Sequence, residues 1–230
     1  MATPALVIMV REPSNIGFND DVSTEAERLK FKYDGIIMDL DTSQSECYNA
    51  GLVNTNAAQM SRDFAVQTKA YLIGHGDWEE QKIGGKDANW FANVLQSLKT
   101  VKVLSIVSCS MGRDKGTNED VPILWGRADS FASILHKALG DLGTYITIYA
   151  RVFDVKVLKS GVKQTEMDRS KNKSLRDATS KREASKLVYF WDGDRQKRDF
   201  VKSKDENGQD IPEVDDDFTN LRLVELLGDL

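Results

Sequence analysis

Short apolar runs separated by polar stretches dominate the hydrophobic pattern of this chain. They are rich in Val, Ile, Leu and Tyr, too short for typical helices and mostly bounded by turn-forming residues, as buried strands are. They predict six β-strands, at Ala5–Val10, Gly35–Leu40, Ala70–Ile73, Val101–Val107, Tyr145–Ala150 and Leu187–Trp191.

Amphipathic stretches lie between several of these runs. Apolar residues recur at helical spacing in Ser23–Tyr33, Asp87–Leu98 and Asp129–Leu139. Asp87 is suited to cap the second helix, and Gly140 is expected to stop the third. Strands that alternate with helices predict an α/β fold with a mostly parallel central sheet.

Two reactive side chains follow neighbouring strands of this predicted sheet. His75 lies in "YLIGHGDW", after the run Ala70–Ile73, and Cys109 lies in "VLSIVSCSMG", after the run Val101–Val107. Functional groups collect at the carboxyl ends of strands in parallel sheets. The helix predicted at Asp87–Leu98 supplies the crossover, so we expect the imidazole and the thiol to meet at one edge of the sheet.

This pairing suits covalent thiol catalysis. An imidazole can accept the thiol proton and later protonate a departing amine. Gly76 has no side chain, so its backbone N–H, together with that of Cys109, can approach a developing oxyanion. A lone cysteine after an apolar strand is also commonly a small buried hydrophobe, and Gly-His-Gly is also ordinary turn chemistry. The residues alone leave both interpretations open.

The overall net charge of −5 conceals a basic segment. Residues 151–204 contain 16 Lys or Arg and 8 Asp or Glu, a net of +8, so the remainder carries −13. Such a segment indicates a polyanionic partner, with nucleic acid the first candidate, or else a solvated charged face. Few aromatic residues accompany the basic ones, which weighs against stacking on single-stranded nucleic acid.

Composition narrows the class of protein further. The 230 residues suit one domain, no apolar run approaches the roughly 18 residues of a membrane span, and no conventional signal sequence is evident. Cys47 and Cys109 are too few for a disulfide framework and fit a reducing compartment. No Cys-x-x-Cys or His-rich spacing suggests a metal, and no Gly-rich phosphate loop is present.

Four further segments extend the pattern around His75 and Cys109: "NDDVSTEAERL", "IGGKDANWFANVLQSL", "TYITIYARVFDVKV" and "SKLVYFWDGD". From about residue 5 to residue 204, the chain resembles the autoprocessing cysteine-protease domain of large bacterial toxins. These are the multifunctional autoprocessing repeats-in-toxin and clostridial glucosylating toxins, whose protease belongs to the caspase-like clan. The resemblance implies a caspase-like, mostly parallel sheet flanked by helices, with a C-terminal β-flap that includes "SKLVYFWDGD". It also implies a peptidase domain over residues 1–204, with its flap region in the basic segment 151–204. Residues 205–230 are interpreted from their composition as an acidic C-terminal tail.

The catalytic residues follow from the same resemblance. It implies a cysteine endopeptidase in which Cys109 and His75 form the dyad, Asp20 assists the histidine, and Gly76 lies beside it. Asp21 is the neighbouring alternative to Asp20. Family members cleave after leucine within their parent polypeptide, so the substrate is a protein or peptide, either the parent chain or another protein.

Regulation by a small polyanion is also implied. Family members are activated by inositol hexakisphosphate, which binds a basic pocket formed with the flap. The resemblance assigns seven residues to that pocket: Lys32, Lys69, Arg151, Lys163, Arg176, Lys186 and Lys202. It further implies a monomer with no metal, no membrane span and no nucleic-acid partner, secreted as a toxin or effector that acts in the host cytosol.

Two other functions stay open on the sequence. A misaligned dyad would make the chain a catalytically inactive polyanion-binding module, and the basic segment alone would suit a nucleic-acid-binding protein. Ser108 departs from the family pattern, because many members have glycine before the catalytic cysteine. His136 lies on the third predicted helix and is interpreted as a helix residue rather than a catalyst.

Overall fold

The computed structural model describes residues 5–12, 16–42, 68–96, 98, 100–115, 129–166 and 186–201. Three helices in these ranges are α1 (Ile16–Tyr33), α2 (Ala88–Leu95) and α3 (Phe131–Asp141). The strands are β1 (Leu6–Arg11), β2 (Ile36–Asp41), β3 (Lys69–Ile73), β4 (Gly76–Asp77), β5 (Lys82–Ile83), β6 (Lys86–Asp87), β7 (Val103–Val107), β8 (Thr147–Arg151), β9 (Asp154–Val157), β10 (Lys163–Glu166), β11 (Lys186–Asp192) and β12 (Arg195–Phe200).

Seven strands form the main sheet, in the order β12-β11-β8-β7-β3-β1-β2. The five strands from β2 to β8 are parallel, whereas β11 pairs antiparallel with β8 and with β12. The chain builds outward in one direction from β1 to β2 and in the other from β3 to β8. Ligand and catalytic sites of open α/β sheets lie at such a reversal, outside the carboxyl ends of the strands. The predicted α/β fold with a mostly parallel sheet is confirmed.

Helices cover both faces of this sheet, which is why its central strands are apolar throughout. On one face α1 packs through Val22, Ala26 and Leu29, which recur at helical spacing. The other face is covered by α2 and α3, whose Phe91 and Phe131 rings meet edge to face. Burial on both sides leaves the strand ends as the places where polar side chains reach the surface.

Helix boundaries differ from the sequence-based prediction at two points. Helix α1 begins at Ile16, upstream of the predicted start at Ser23. The predicted stop at Gly140 is wrong, since α3 continues to Asp141 and the chain turns at Gly143, whose φ is +73°. Gly140 instead makes room for Trp191, because a Cβ there would lie 2.1 Å from the indole ring.

All six predicted strands are present, and the segments that the sequence did not predict as strands are short or polar. Strands β4, β5 and β6 form a three-stranded insert directly after His75. Strands β9 and β10 pair with each other in a separate two-stranded sheet, here called the flap hairpin, residues 154–166. The run predicted as a flap strand, Leu187–Trp191, belongs to β11 of the main sheet and is not part of the flap hairpin.

Candidate active site

Sheet register places His75 and Cys109 at equivalent positions on adjacent strands. Ile73 of β3 pairs with Val107 of β7, and each reactive residue comes two positions later. Neighbouring strands lie about 4.8 Å apart, so the two chain segments leave the sheet side by side. We call residues 75–76 and 108–110 the catalytic edge.

Gly76 shows how closely these segments approach. A Cβ on Gly76 would lie 2.6 Å from the Cys109 carbonyl oxygen and 2.6 Å from the Ser108 hydroxyl. Such distances are below any normal contact, so only glycine fits without movement of the cysteine segment. The Ser108 hydroxyl is itself buried and has no hydrogen-bond partner within the described ranges. The catalytic edge is therefore packed backbone against backbone.

The Cys109 thiol is held in its neutral form. Burial raises its pKa to about 11, the negative charge of Asp154 adds to this, and the Asp154 carboxylate also accepts a hydrogen bond from the thiol. The backbone N–H of Val155 has the opposite, smaller effect. A thiol with this pKa is a poor nucleophile at neutral pH.

Residues 108–115, the cysteine loop, are docked on the start of the flap hairpin. The Ser110 hydroxyl donates to Asp154 at 3.1 Å, and the Ser110 N–H donates to the Phe153 carbonyl at 3.3 Å. Gly112 N–H donates to the Arg151 carbonyl at 2.7 Å. A shift of residues 151–155 would therefore move the loop that carries the thiol.

His75 is partly exposed, and its carbonyl accepts a hydrogen bond from Gly84 N–H at 3.0 Å. Burial raises the pKa of the nearby Glu25 carboxyl, and attraction to the imidazole of His75 is one of the influences that oppose this. Asp20, the residue expected to assist the histidine, has an exposed side chain on the same helix. Five residues along a helix correspond to about 140° of rotation, so Asp20 and Glu25 point in different directions. The assignment of Asp20, with Asp21 as its alternative, stays a prediction, and Glu25 is a carboxylate that sequence reasoning did not single out.

Basic side chains gather around two stacked tyrosines on the α1 face of the sheet. The rings of Tyr33 and Tyr71 stack with centroids 4.8 Å apart. Lys69 Nζ lies 5.2 Å and Lys163 Nζ 4.5 Å from the Tyr71 centroid, and Lys32 Nζ lies 5.2 Å from the Tyr33 centroid. Aromatic faces attract cations, which lets the ammonium groups sit close to one another.

Lys163 is the most enclosed of these cations. It pairs with Val157 in the flap hairpin and shares that residue's inward direction, and its Nζ donates to the Tyr33 hydroxyl at 3.2 Å. Burial lowers the pKa of Lys163 to about 8; the charges of Arg151 and Lys69 lower it further, and Tyr33 acts in the opposite direction. The positive charges of Arg151 and Lys69 therefore lie near enough to the Lys163 ammonium to repel it.

Two more of the basic residues adjoin this group. Arg151 pairs with Lys186 across β8 and β11, and Lys186 Nζ lies 4.4 Å from the ring centroid of Tyr149. We call these five residues the basic cluster: Lys32, Lys69, Arg151, Lys163 and Lys186. Arg176 and Lys202, also expected at the polyanion pocket, lie outside the described residues.

Comparison with known proteins decides the family. A model of the peptidase C80 family matches residues 19–166, a span that contains both His75 and Cys109. The chain belongs to the peptidase C80 family. This is the family of the autoprocessing cysteine-protease domains of repeats-in-toxin and clostridial toxins, so the resemblance found in the sequence is confirmed. No curated protein matches the chain.

Membership of the C80 family establishes that the protein is a cysteine peptidase, a hydrolase whose substrate is a protein. Among the described residues, no group of three or more His, Cys, Asp and Glu side chains is placed to hold a metal ion. Within the same ranges, none of the helices is long and apolar enough to cross a membrane.

His136, the other histidine of the peptidase, is a core residue. Its ring is fully buried on α3 and stacks on Trp191 with centroids 4.8 Å apart. Burial lowers the pKa of His136 to about 4, so its imidazole is neutral at physiological pH. Its interpretation as a helix residue agrees with this position.

Proposed function

We propose that the C80 peptidase is an endopeptidase that uses Cys109 as its nucleophile and His75 as its general base and acid. One observation carries the proposal: the β3–β7 register brings both residues to the same level at the carboxyl ends of adjacent parallel strands. The close approach of Gly76 to the Cys109 carbonyl supports the same arrangement.

Catalysis then follows the two-step course of thiol peptidases. His75 takes the proton of the Cys109 thiol, and the sulfur attacks the scissile carbonyl carbon to form a tetrahedral oxyanion. Backbone N–H groups of Gly76 and Cys109 donate to that oxyanion. The protonated His75 gives its proton to the departing amine, which leaves a thioester. Water, deprotonated by His75, releases the acid product and restores the thiol.

A carboxylate beside the imidazole stabilises its protonated form. Glu25 is the residue that we place in this role, because its charge attracts His75 and its carboxylate also accepts a hydrogen bond from the backbone N–H of Val157. The matched pair Glu25→Gln and Asp20→Asn tests this choice, since both changes remove one charge from α1. A larger fall in kcat for Asp20→Asn would restore the assignment from the sequence.

Inositol hexakisphosphate is the activator that we propose for the basic cluster. Its phosphates would neutralise cations that repel one another, and charge-assisted hydrogen bonds to phosphate are strong. The six residue steps from Lys69 to His75 span roughly 20 Å at strand geometry, so the Lys69 end of the basic cluster is far from the thiol. The Arg151 end adjoins the cysteine loop, since the Arg151 carbonyl accepts from Gly112 N–H.

The flap hairpin connects the two places. Its β9 starts at Asp154, which adds to the effect of burial in keeping the thiol neutral, and ends at Val157, which pairs with Lys163 of the basic cluster. Arg28 Nη1 also donates to the Val157 carbonyl at 2.6 Å and so anchors the hairpin to α1. A ligand that binds the protein more tightly when the flap hairpin is shifted raises the population of that shifted conformation. We propose that Cys109 is released from Asp154 in this conformation.

Cleavage after leucine, in the parent chain or in another protein, is the specificity that we propose from family membership, together with action in the host cytosol. The decisive experiment incubates leucine-containing peptides with the purified protein, with and without inositol hexakisphosphate, alongside Cys109→Ala. Cleavage that needs both ligand and thiol is expected. Ligand binding without cleavage would instead identify an inactive polyanion-binding module.

A further inference from the structure

Two separate pieces of chain carry the catalytic residues beyond the sheet. His75 leads into the three-stranded insert, in which Gly76 pairs with Ile83. Cys109 leads into the cysteine loop, which ends beside α3, where Ala132 N–H donates to the Met111 carbonyl at 3.0 Å. The sheet sets where each piece starts, and contacts beyond the sheet must set the spacing between them.

Gln81 joins these pieces through its side-chain amide. Its Nε2 donates to the Trp78 carbonyl at 2.5 Å and to the Arg113 carbonyl at 3.2 Å. Its Oε1 accepts a hydrogen bond from the Phe131 N–H at the first residue of α3. One side chain therefore binds the insert, the cysteine loop and a helix together.

Burial and backbone conformation show that this position is specialised. Gln81 is only 6% exposed, and a buried primary amide is stable only when its donors and acceptor are used. Its φ of +56° is in the left-handed region, which costs a non-glycine residue energy. Arg113 reinforces the junction, because its guanidinium carbon lies 4.0 Å from the Trp78 ring centroid.

We infer that Gln81 is a positioning residue that fixes the spacing between the His75 segment and the Cys109 segment. The inference rests on the proposed dyad. Gln81 contacts neither reacting group, and it acts through Trp78, three residues after His75, and Arg113, four residues after Cys109. Without its amide, the two segments remain attached to the sheet but lose their fixed separation.

Gln81→Gly is the test, because glycine adopts the left-handed backbone freely and removes all three hydrogen bonds. Misplacement of about 1 Å is enough to cost roughly 100-fold in rate, so we expect kcat to fall by up to about that factor while KM changes less than about threefold. Gln96→Gly is the matched control, since the Gln96 amide donates to Asn93 on α2.

Thiol chemistry supplies a readout that does not depend on peptidase activity. In a Cys47→Ser background, Cys109 is the remaining thiol, and its alkylation by iodoacetamide is followed against pH with inositol hexakisphosphate present. The pH profile of Gln81→Gly should move toward that of His75→Ala, whereas Gln96→Gly should keep the wild-type profile. Circular dichroism and thermal melting establish that each variant is folded.

Wild-type kcat and a wild-type alkylation profile in folded Gln81→Gly would overturn the inference, as would an equal loss in Gln96→Gly. If Gln81→Gly does not fold, Gln81→Asn decides in the same way, since asparagine tolerates this backbone but is one methylene shorter. A His75→Ala profile identical to wild type would show that the dyad itself is absent, and the proposed function would then fail together with the role of Gln81.

Discussion

The catalytic edge and the basic cluster are built by different means. At the catalytic edge, strand register brings the His75 and Cys109 segments to the same level, and Gly76 packs against the cysteine backbone. The basic cluster draws its side chains from α1, β3, β8, β10 and β11, and its cations repel one another around Tyr33 and Tyr71. The first is assembled by the sheet itself, whereas we propose that the second is stabilised by a polyanion. Chemistry and regulation can therefore be separated by mutation.

Removal of either reacting group should have the largest effect. His75→Ala is expected to lower kcat by about 10²–10⁴-fold, because general acid–base catalysis contributes that much, and Cys109→Ala should abolish turnover. Peptide cleavage with inositol hexakisphosphate present measures the loss. Binding of the ligand, followed by calorimetry, should stay at the wild-type level in both variants. A parallel loss of ligand binding would contradict the separation of the two regions.

Charge reversal in the basic cluster should weaken ligand binding and leave the two reacting groups in place. In Lys69→Glu/Lys186→Glu, two charge-assisted contacts worth about 1.5–3 kcal/mol each are replaced by repulsion, so binding should weaken at least about 100-fold. Activation should be lost while the melting temperature of the free protein stays near wild type.

Lys137→Glu/Lys197→Glu makes the same change in net charge at exposed positions on α3 and β12 and serves as the control. Unchanged activation in the Lys69→Glu/Lys186→Glu variant would exclude the basic cluster as the ligand site.

Asp154→Asn should make the resting thiol more reactive. The amide still accepts from Ser110, but the negative charge that helps raise the pKa of Cys109 is gone. Each unit by which the thiol pKa falls increases the thiolate fraction about tenfold near neutral pH. Iodoacetamide alkylation without ligand should therefore accelerate, and added ligand should accelerate it less than in wild type. Asp192→Asn on β11 is the control, and an unchanged alkylation rate in Asp154→Asn would remove Asp154 from the switch.

The pH dependence of ligand binding should show the smallest effect. Burial lowers the pKa of Lys163 to about 8, so its charge, which a polyanion favours, is lost as pH rises through that value. Affinity for inositol hexakisphosphate should fall several-fold above about pH 8, and Lys163→Met should flatten the profile. Lys156→Met, an exposed position on the same hairpin, should retain it.

Stability should change in the same pH range with a defined sign. The folded protein releases the Lys163 proton near pH 8, whereas an unfolded lysine releases it near 10.5. Between these values the unfolded chain binds more protons, so the contribution of Lys163 to stability rises with pH. Denaturant unfolding of wild type and Lys163→Met across this range measures the difference. A constant difference would place the Lys163 ammonium in water rather than in the cluster.

Sequence reasoning reached the catalytic edge because its signals are local. Strand runs, a glycine-flanked histidine and a cysteine after an apolar strand are all visible within ten residues, and parallel strands end at one edge. It did not single out Glu25 or Asp154, because their relation to His75 and Cys109 depends on how α1 and the flap hairpin pack. Gln81 was also invisible, since nothing local distinguishes a buried amide in a tight turn from a solvated one.

The amino-acid sequence by itself determined the alternation of strands and helices and the concentration of positive charge after residue 151. It also placed His75 and Cys109 directly after two strands of the parallel sheet. These follow from side-chain periodicity and composition, which act over a few residues. Tertiary structure alone decided which carboxylates lie near the thiol and the imidazole, which lysine is enclosed between tyrosines, and which amide joins the two catalytic segments. Those contacts join residues far apart in the chain, and their energies depend on burial, which only the folded protein defines.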